Sequence, residues 1–265
     1  MKKIKLAAFD IDGTLIASGT RTVSEKSKQA IQKLRENNIQ ILVATGRIPT
    51  IIQDDIHKVL APDFYVTING QLVVDKNLDT VSARRLNPKE VQFLIDYAKT
   101  HEINVGLKWE KGMKVLRNFE DFARVYLSQD PDKLEFLSDI SQQAEIDVEN
   151  VYGVFFIGKP DIVKAVEPRL QHLVLSHAYG DAYEVFDPLV SKSGGIQDVL
   201  EHYNISWDEV ISFGDAHNDI DMLKSSGIGV AMGNATAEVK SVADYITDSV
   251  QEDGVYHALK HFNLI

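Results

Sequence analysis

The chain has no cysteine among its 265 residues. That excludes disulfides, thiolate-bound metals and a cysteine nucleophile. It also lacks any run approaching the ~18 consecutive apolar residues that a membrane-spanning helix needs. The basic start Met1-Lys2-Lys3 leads into an apolar segment that Asp10 interrupts too early for a secretion signal. No internal repeat and no low-complexity tract is visible. Positive charge is in deficit: 28 Lys and Arg stand against 39 Asp and Glu, a net charge of −11. A general affinity for nucleic acid or for anionic membrane is therefore not expected. These absences together predict a cytoplasmic protein with neither kind of partner.

What is present is an ordinary globular composition, 44% hydrophobic and 25% charged, long enough for one large domain or two modest ones. Residues 4–9 form a compact apolar run that reads as a buried parallel strand. The run enters Asp10-Ile11-Asp12-Gly13-Thr14-Leu15, with two carboxylates one residue apart, a glycine that permits a sharp turn and a hydroxyl that can anchor it. Carboxylates at the end of a first core strand point into the crevice where open α/β sheets bind ligands. Taken alone, the segment reads as an Asx-rich turn; the later motifs change that reading. A helix capped by Ser24 follows, with Ala30, Ile31 and Leu34 on its apolar face and Asn37-Asn38 at its end. A buried strand over 39–44 completes a right-handed βαβ unit. It runs into Thr45-Gly46-Arg47, where the Thr45 hydroxyl and nearby backbone N–H groups suit a phosphate oxygen, although the tripeptide by itself is a commonplace strand-to-helix turn. A helix over 51–60, a strand over 64–68 and a two-residue hairpin turn at Asn69-Gly70 are expected next.

From about Ser82 the pattern becomes a mixture of helices (88–100, 119–127, 162–172) and strands (103–109, 114–116, 151–157, 173–176, 183–186). The expected organisation is a core made of 1–81 and 186–265, with a cap inserted over 82–185. Inside the insert, Gly153 to Lys159 has the spacing of a nucleotide-binding phosphate loop. Its middle is a β-type apolar run, and Pro160 stands where a Ser or Thr is required, so a buried strand is expected instead. Beyond the insert, Ser191-Lys192-Ser193-Gly194-Gly195 opens a helix over 196–203. A lysine at that place opposes the helix dipole; an anion shared with the helix N-terminus resolves the conflict, as does plain solvation of Lys192. A strand over 210–213 ends in Gly214-Asp215-Ala216-His217-Asn218-Asp219, then a helix over 219–225, a strand over 228–231 and helices over 236–242 and 254–261. Carboxylates from two strand ends, facing a lysine and a hydroxyl, make a hard-cation site with room for a phosphate. Such an oxygen-rich site favours magnesium over zinc and leaves His217 as a neighbour. The fold class expected is α/β, a Rossmann-like parallel-sheet core with helices on both faces and an inserted α+β cap.

Asp10-Ile11-Asp12-Gly13-Thr14, Thr45-Gly46-Arg47, Lys192 and Gly214-Asp215-x-x-Asn218-Asp219 resemble, in order, the four motifs of the haloacid-dehalogenase-like hydrolases. The long insert between the second and third resembles the Cof-type sugar-phosphate phosphatases, and the resemblance covers essentially the whole chain. One departure is Ser193-Gly194-Gly195-Ile196, where relatives usually carry Lys-Gly-x-Ala-Leu. The resemblance implies a magnesium-dependent phosphatase of small phosphorylated metabolites, expected as a monomer or weak homodimer. It implies Asp10 as the nucleophile that becomes an aspartyl-phosphate, and Asp12 as the acid that protonates the leaving oxygen and later activates water. Asp10, Asp215 and the Asp12 carbonyl would hold the metal, with Asp219 orienting the shell around it. The Ile11 backbone, Thr45, Gly46, Lys192 and Asn218 would hold the phosphate. A phosphotransferase or mutase using the same aspartate, and an idle sensor of phosphorylated ligands, are the alternatives. Lys108, Trp109 and Arg117 are visible candidates for substrate selection, set against an ordinary cap surface.

Overall fold

Residues 3–127 and 131–265 are described by the structure, a computed structural model; Met1 and Lys2 of the basic start lie outside them. The chain divides into two units, Met1–Arg47 with Ile52–Ala83 and Ser191–Ile265, and Ile48–Ile51 with Arg84–Val190.

In the first unit β1 (Leu6–Phe9) is buried throughout, as a strand covered on both faces must be. Helix α1 (Glu25–Glu36) starts where Ser24 accepts the Ser27 N–H, and it buries Ala30, Ile31 and Leu34. Strands β2 (Gln40–Ala44), β3 (Phe64–Thr67), β4 (Leu72–Asp75) and β5 (Thr80–Ala83) follow. The helix expected over 51–60 is instead a 3-10 turn, Pro49–Ile51, which belongs to the second unit, and a π turn, Asp55–Leu60, in the first; the successive β-branched residues Thr50, Ile51 and Ile52 disfavour a regular α-helix there. The hairpin between β3 and β4 is present, but Thr67 pairs with Leu72, leaving Ile68, Asn69, Gly70 and Gln71 as its loop. Two neighbours pull the loop open: the Ile68 N–H donates to the Arg47 carbonyl and the Asn69 N–H to the Thr45 carbonyl, each at 3.0 Å.

The second unit carries α2 (Pro88–Thr100), β6 (Asn104–Trp109), β7 (Gly112–Val115), α3 (Phe119–Tyr126), β8 (Leu137–Asp139), β9 (Gly153–Ile157), α4 (Pro160–Lys164), β10 (Val174–Tyr179) and β11 (Ala182–Phe186). Its sheet has the order β10-β11-β9-β6-β7-β8. The phosphate-loop-like spacing lies in β9, a ladder strand between β11 and β6. Alternate residues Val105, Leu107, Val154, Phe156, Tyr183 and Val185 gather with Val91, Leu94 and Ile95 of α2 in one core. The helix expected over 162–172 stops at Lys164, and Pro168 sits in a separate 3-10 turn, Glu167–Arg169. Proline supplies no N–H and clashes with the preceding turn.

The chain returns to the first unit with α5 (Lys192–Tyr203), β12 (Val210–Gly214), α6 (Ile220–Ser225), β13 (Ile228–Ala231), α7 (Ala237–Lys240), β14 (Tyr245–Ile246) and α8 (Gly254–His261). The eight-stranded sheet runs β14-β13-β12-β1-β2-β3-β4-β5. It is parallel from β14 to β3, and the β4 and β5 hairpins extend it. Leu6, Ala8, Leu42 and Ala44 pack with Ile196 and Val199 of α5 and Met222 of α6. The intervening Ala7, Phe9, Ile41 and Val43 are equally buried and face the other side, where α1 contacts β2 and α8 contacts α1. From β1 the chain first adds strands on the β2 side and later on the β12 side, so the switch point where open α/β sheets bind ligands lies at β1. Phe9 and Phe213 are partners in register, and their rings stack 4.9 Å apart. That contact fixes the two strand ends just before Asp10 and Gly214-Asp215.

Candidate active site

Everything in this site hangs on the carboxyl ends of β1, β2 and β12, with α5 bringing one cation to them. Asp10 leaves β1 with its N–H donated to the Phe213 carbonyl at 3.0 Å. The chain then closes a tight loop in which the Ile11 carbonyl accepts from the N–H groups of Thr14, Leu15 and Ile16. The Ile11 side chain is fully buried, so only its N–H is left to serve a ligand. Gly13 is required in the turn: its φ is +95°, and a Cβ there would lie 2.2 Å from Asp215 Oδ2. The Thr14 hydroxyl donates to Asp215 Oδ1 at 3.1 Å, which ties the first loop to the loop after β12.

Ser191 caps α5 by accepting the Gly194 N–H at 3.2 Å. Lys192, the first residue of the helix, is only 1% exposed and reaches Asp10 Oδ1 at 2.6 Å and Asp219 Oδ1 at 2.7 Å. A cation at this unfavourable end of the helix dipole is thus held by two carboxylates. Asp219 is fully committed: its Oδ2 accepts the backbone N–H groups of Asp215 and Ala216 at 2.9 and 3.0 Å. One oxygen each from Asp10, Asp215 and Asp219 lies within 4.8 Å of the others.

The electrostatics of this cluster are unbalanced, with three carboxylates around one ammonium. Burial pushes the Asp10 carboxyl well above its usual range against the pull of Lys192, and Asp219, Asp12 and Asp215 push it further. Burial and then repulsion from Asp219 raise Asp215 to about 6. Burial alone would discharge Lys192, but the attraction of Asp10 and Asp219 prevails and holds its pKa above the ordinary lysine value. A divalent cation fits these residues, because an all-oxygen donor set carrying excess negative charge is what magnesium takes. Asp219 carries three N–H bonds of 2.7 to 3.0 Å on its two oxygens. Asp215 takes the Thr14 hydroxyl at 3.1 Å and a long contact from Asn234 Nδ2 at 3.4 Å, and Asp10 takes Lys192 on one oxygen. Asp10 and Asp215 therefore keep more capacity for a cation than Asp219 does.

Asp12 lies away from this cluster. Its side chain is 51% exposed, and both oxygens accept from Arg47, Oδ2 from Nε and Oδ1 from Nη2, each at 2.9 Å. Gln53, with its amide oxygen toward Arg47, accepts from both Nη atoms at 3.1 and 3.0 Å. Thr45 is buried, and its Oγ1 accepts the Arg47 N–H at 3.2 Å, which leaves the hydroxyl proton available to donate. Gly46 lies against Asn69, whose Oδ1 accepts from Asn218 Nδ2 at 3.0 Å. His217 is 82% exposed beside Glu238, outside the cluster.

Two side chains beyond the sequence motifs therefore belong to the neighbourhood: Asn69, on Asn218, and Asn234. Arg47, which the motif Thr45-Gly46-Arg47 contains without giving it a role, engages Asp12. Asn234 Nδ2 donates to the Gly13 carbonyl at 2.9 Å and its Oδ1 accepts the Val250 N–H at 2.9 Å. Asn69 was visible in the sequence only as half of a turn dipeptide, and Asn234 carried no local signal at all. In the second unit, Lys108 is buried and paired with Glu184, Lys114 sits over the Trp109 ring at 3.2 Å, and Arg117 lies 3.3 Å from Glu102.

Comparison with known proteins fits this geometry. The family described as haloacid dehalogenase-like hydrolase matches residues 7–259. The 5-amino-6-(5-phospho-D-ribitylamino)uracil phosphatase YcsE of Bacillus subtilis is 28% identical over 261 residues, 98% of this chain and 96% of that protein. A second protein of that activity from the same organism, YitU, is 26% identical, covering 97% of each chain. Among solved structures, a haloalkanoate-superfamily phosphatase from Bacteroides thetaiotaomicron superposes with a TM-score of 0.83 at 28% identity, over 99% of this chain and 96% of the other. A subclass IIB sugar phosphatase gives 0.82 at 26% identity, over 98% and 100%.

Proposed function

The chain belongs to the haloacid dehalogenase-like hydrolase family, and on that premise we propose that this phosphatase hydrolyses small sugar or polyol phosphates through a phosphorylated Asp10. The observation that carries the proposal is the buried Lys192 ammonium bridging Asp10 and Asp219 at 2.6 and 2.7 Å. It holds the attacking carboxylate at the switch point of the sheet and places a cation where an anionic substrate must arrive. Magnesium, when bound by Asp10, Asp215 and the Asp12 main-chain carbonyl, supplies the charge that lets an anionic nucleophile meet an anionic phosphate. The chain's own groups do the rest. Lys192 and the Ile11 N–H, Thr45, Gly46 and Asn218 hold the phosphoryl oxygens. Asp10 attacks phosphorus and the ester oxygen leaves with a proton from Asp12; Asp12 then takes a proton from the water that cleaves the acyl phosphate. Asp219 fixes Lys192 and the loop after β12.

The substrate class rests on relatives: two act on a ribityl phosphate by name and a structural neighbour is a sugar phosphatase. We assign the choice of leaving group to the inserted cap, and the acidic, cysteine-free chain suits a cytoplasmic monomer or weak homodimer. Among the described residues no helix is long and apolar enough to cross a membrane. The test is turnover of an aryl phosphate and a panel of sugar and polyol phosphates in magnesium. Release of inorganic phosphate without any acceptor supports hydrolysis. Turnover only when an acceptor sugar is present assigns a phosphotransferase, and absence of turnover assigns a sensor.

A further inference from the structure

The loop between β3 and β4 is more costly than a hairpin requires. Ile68, Asn69 and Gly70 have φ of +50, +54 and +104° in succession, and the first of these is β-branched, for which the left-handed region is a genuine outlier. Gln71 is 1% exposed, yet neither end of its amide has a hydrogen-bond partner, which native interiors avoid. A two-residue turn at Asn69-Gly70 was within the reach of this sequence. Strain of this kind persists where the surroundings enforce it, and it clusters at functional sites.

The conformation places Asn69 where a regular turn would not. Its N–H donates to the Thr45 carbonyl at 3.0 Å. Its side chain lies so close to Gly46 that a Cβ there would come within 3.2 Å of Oδ1 and 3.3 Å of Nδ2. Its Oδ1 takes one N–H of Asn218 at 3.0 Å. Thr45 and Gly46 follow β2 and Asn218 follows β12, the strands that flank β1. One amide thus links the loops on either side of the strand that carries Asp10.

We propose that Asn69 is a positioning residue for the phosphoryl group: by taking one N–H of Asn218 it aims the other at the anion held beside Thr45 and Gly46. An amide nitrogen has two protons, so the bond to Asn69 fixes the direction of the second. The inference rests on the reading that a phosphate binds at this place.

The test is inorganic phosphate binding in magnesium buffer, by calorimetry, alongside KM and kcat for an aryl phosphate. Asn69→Gly is the variant of choice, since glycine accepts φ of +54° without strain and the loop keeps its shape without the amide. Phosphate should bind about five- to tenfold more weakly and KM should rise in step, the effect of losing one oriented hydrogen bond. Asn69→Asp keeps the acceptor but adds a like charge, and should weaken phosphate further. Asn69→Gly combined with Asn218→Ala should bind phosphate no worse than Asn218→Ala alone. Wild-type phosphate affinity in Asn69→Gly, or losses that add in the double variant, overturns the role of Asn69 while leaving the phosphatase reading intact. Wild-type protein that binds no phosphate, with turnover unaffected by Asp10→Asn, overturns that reading and this inference with it.

Discussion

Asp215→Asn should abolish activity and at the same time make the metal-free protein more stable at neutral pH. Burial and the neighbouring Asp219 raise the Asp215 carboxyl from 3.8 to about 6. A raised value means the folded state holds the proton more tightly than the unfolded chain does. The stability this confers is present below about pH 4 and is lost as the pH rises toward 6; above both values the ionised carboxylate opposes folding. A shift of about two units corresponds to roughly 3 kcal/mol, an upper bound because the side chain is partly exposed and water screens it. Asparagine keeps the shape and the acceptor for Thr14 without the charge. In urea unfolding with excess chelator, the variant should therefore exceed the wild type by up to about 3 kcal/mol at pH 8, and the two should converge near pH 4. Magnesium stabilises only a protein that binds it, so it should reverse the order at pH 8. A variant less stable than the wild type at pH 8 in chelator would refute the reasoning, because Asp215 would then be paid for within the protein alone.

Lys192→Met strips the cation from two buried carboxylates and should destabilise the protein by about 3–5 kcal/mol; adding Asp219→Asn should recover part of the loss in a thermal melt but none of the activity. Gly13→Ala drives a methyl group to 2.2 Å from Asp215 Oδ2 at φ +95°, so phosphatase activity should fall by about two orders of magnitude or more, with a stability loss of roughly 1–3 kcal/mol. Arg47→Ala frees Asp12 from its two-pronged partner; kcat/KM for an alkyl phosphate, whose leaving group needs a proton, should fall more than that for an activated aryl phosphate, and equal losses would place Arg47 in substrate binding instead. Chelation should abolish turnover and magnesium restore it, whereas calcium, with its looser coordination, should not.

Much of this was legible along the chain. Apolar runs that end abruptly in Asp, Thr-Gly or Gly-Asp marked the ends of β1, β2 and β12, because a strand buried on both faces has no other way to be written than as a continuous apolar run. The conflict of a lysine with the α5 dipole marked Lys192, and the structure resolves it with two carboxylates. What was not legible depends on partners far off in sequence. Nothing local shows that Asp12 turns out to Arg47 while Asp10 turns in to Lys192. Nor does Asn69-Gly70 reveal that backbone bonds to Thr45 and Arg47 open its hairpin to a longer loop. The helix expected over 162–172 failed for a reason that was in the sequence, Pro168, and the one over 51–60 for a weaker one, its β-branched start.

The central claim is that Asp10 carries the phosphoryl group. Rapid-quench peptide mass spectrometry on the enzyme turning over an aryl phosphate in magnesium tests it directly, best in an Asp12→Asn background, where loss of the base should let phosphoenzyme accumulate. The account predicts a mass increase of one phosphoryl group on the peptide containing Asp10, absent in Asp10→Asn. A label on any other residue, or full turnover by Asp10→Asn, would contradict it.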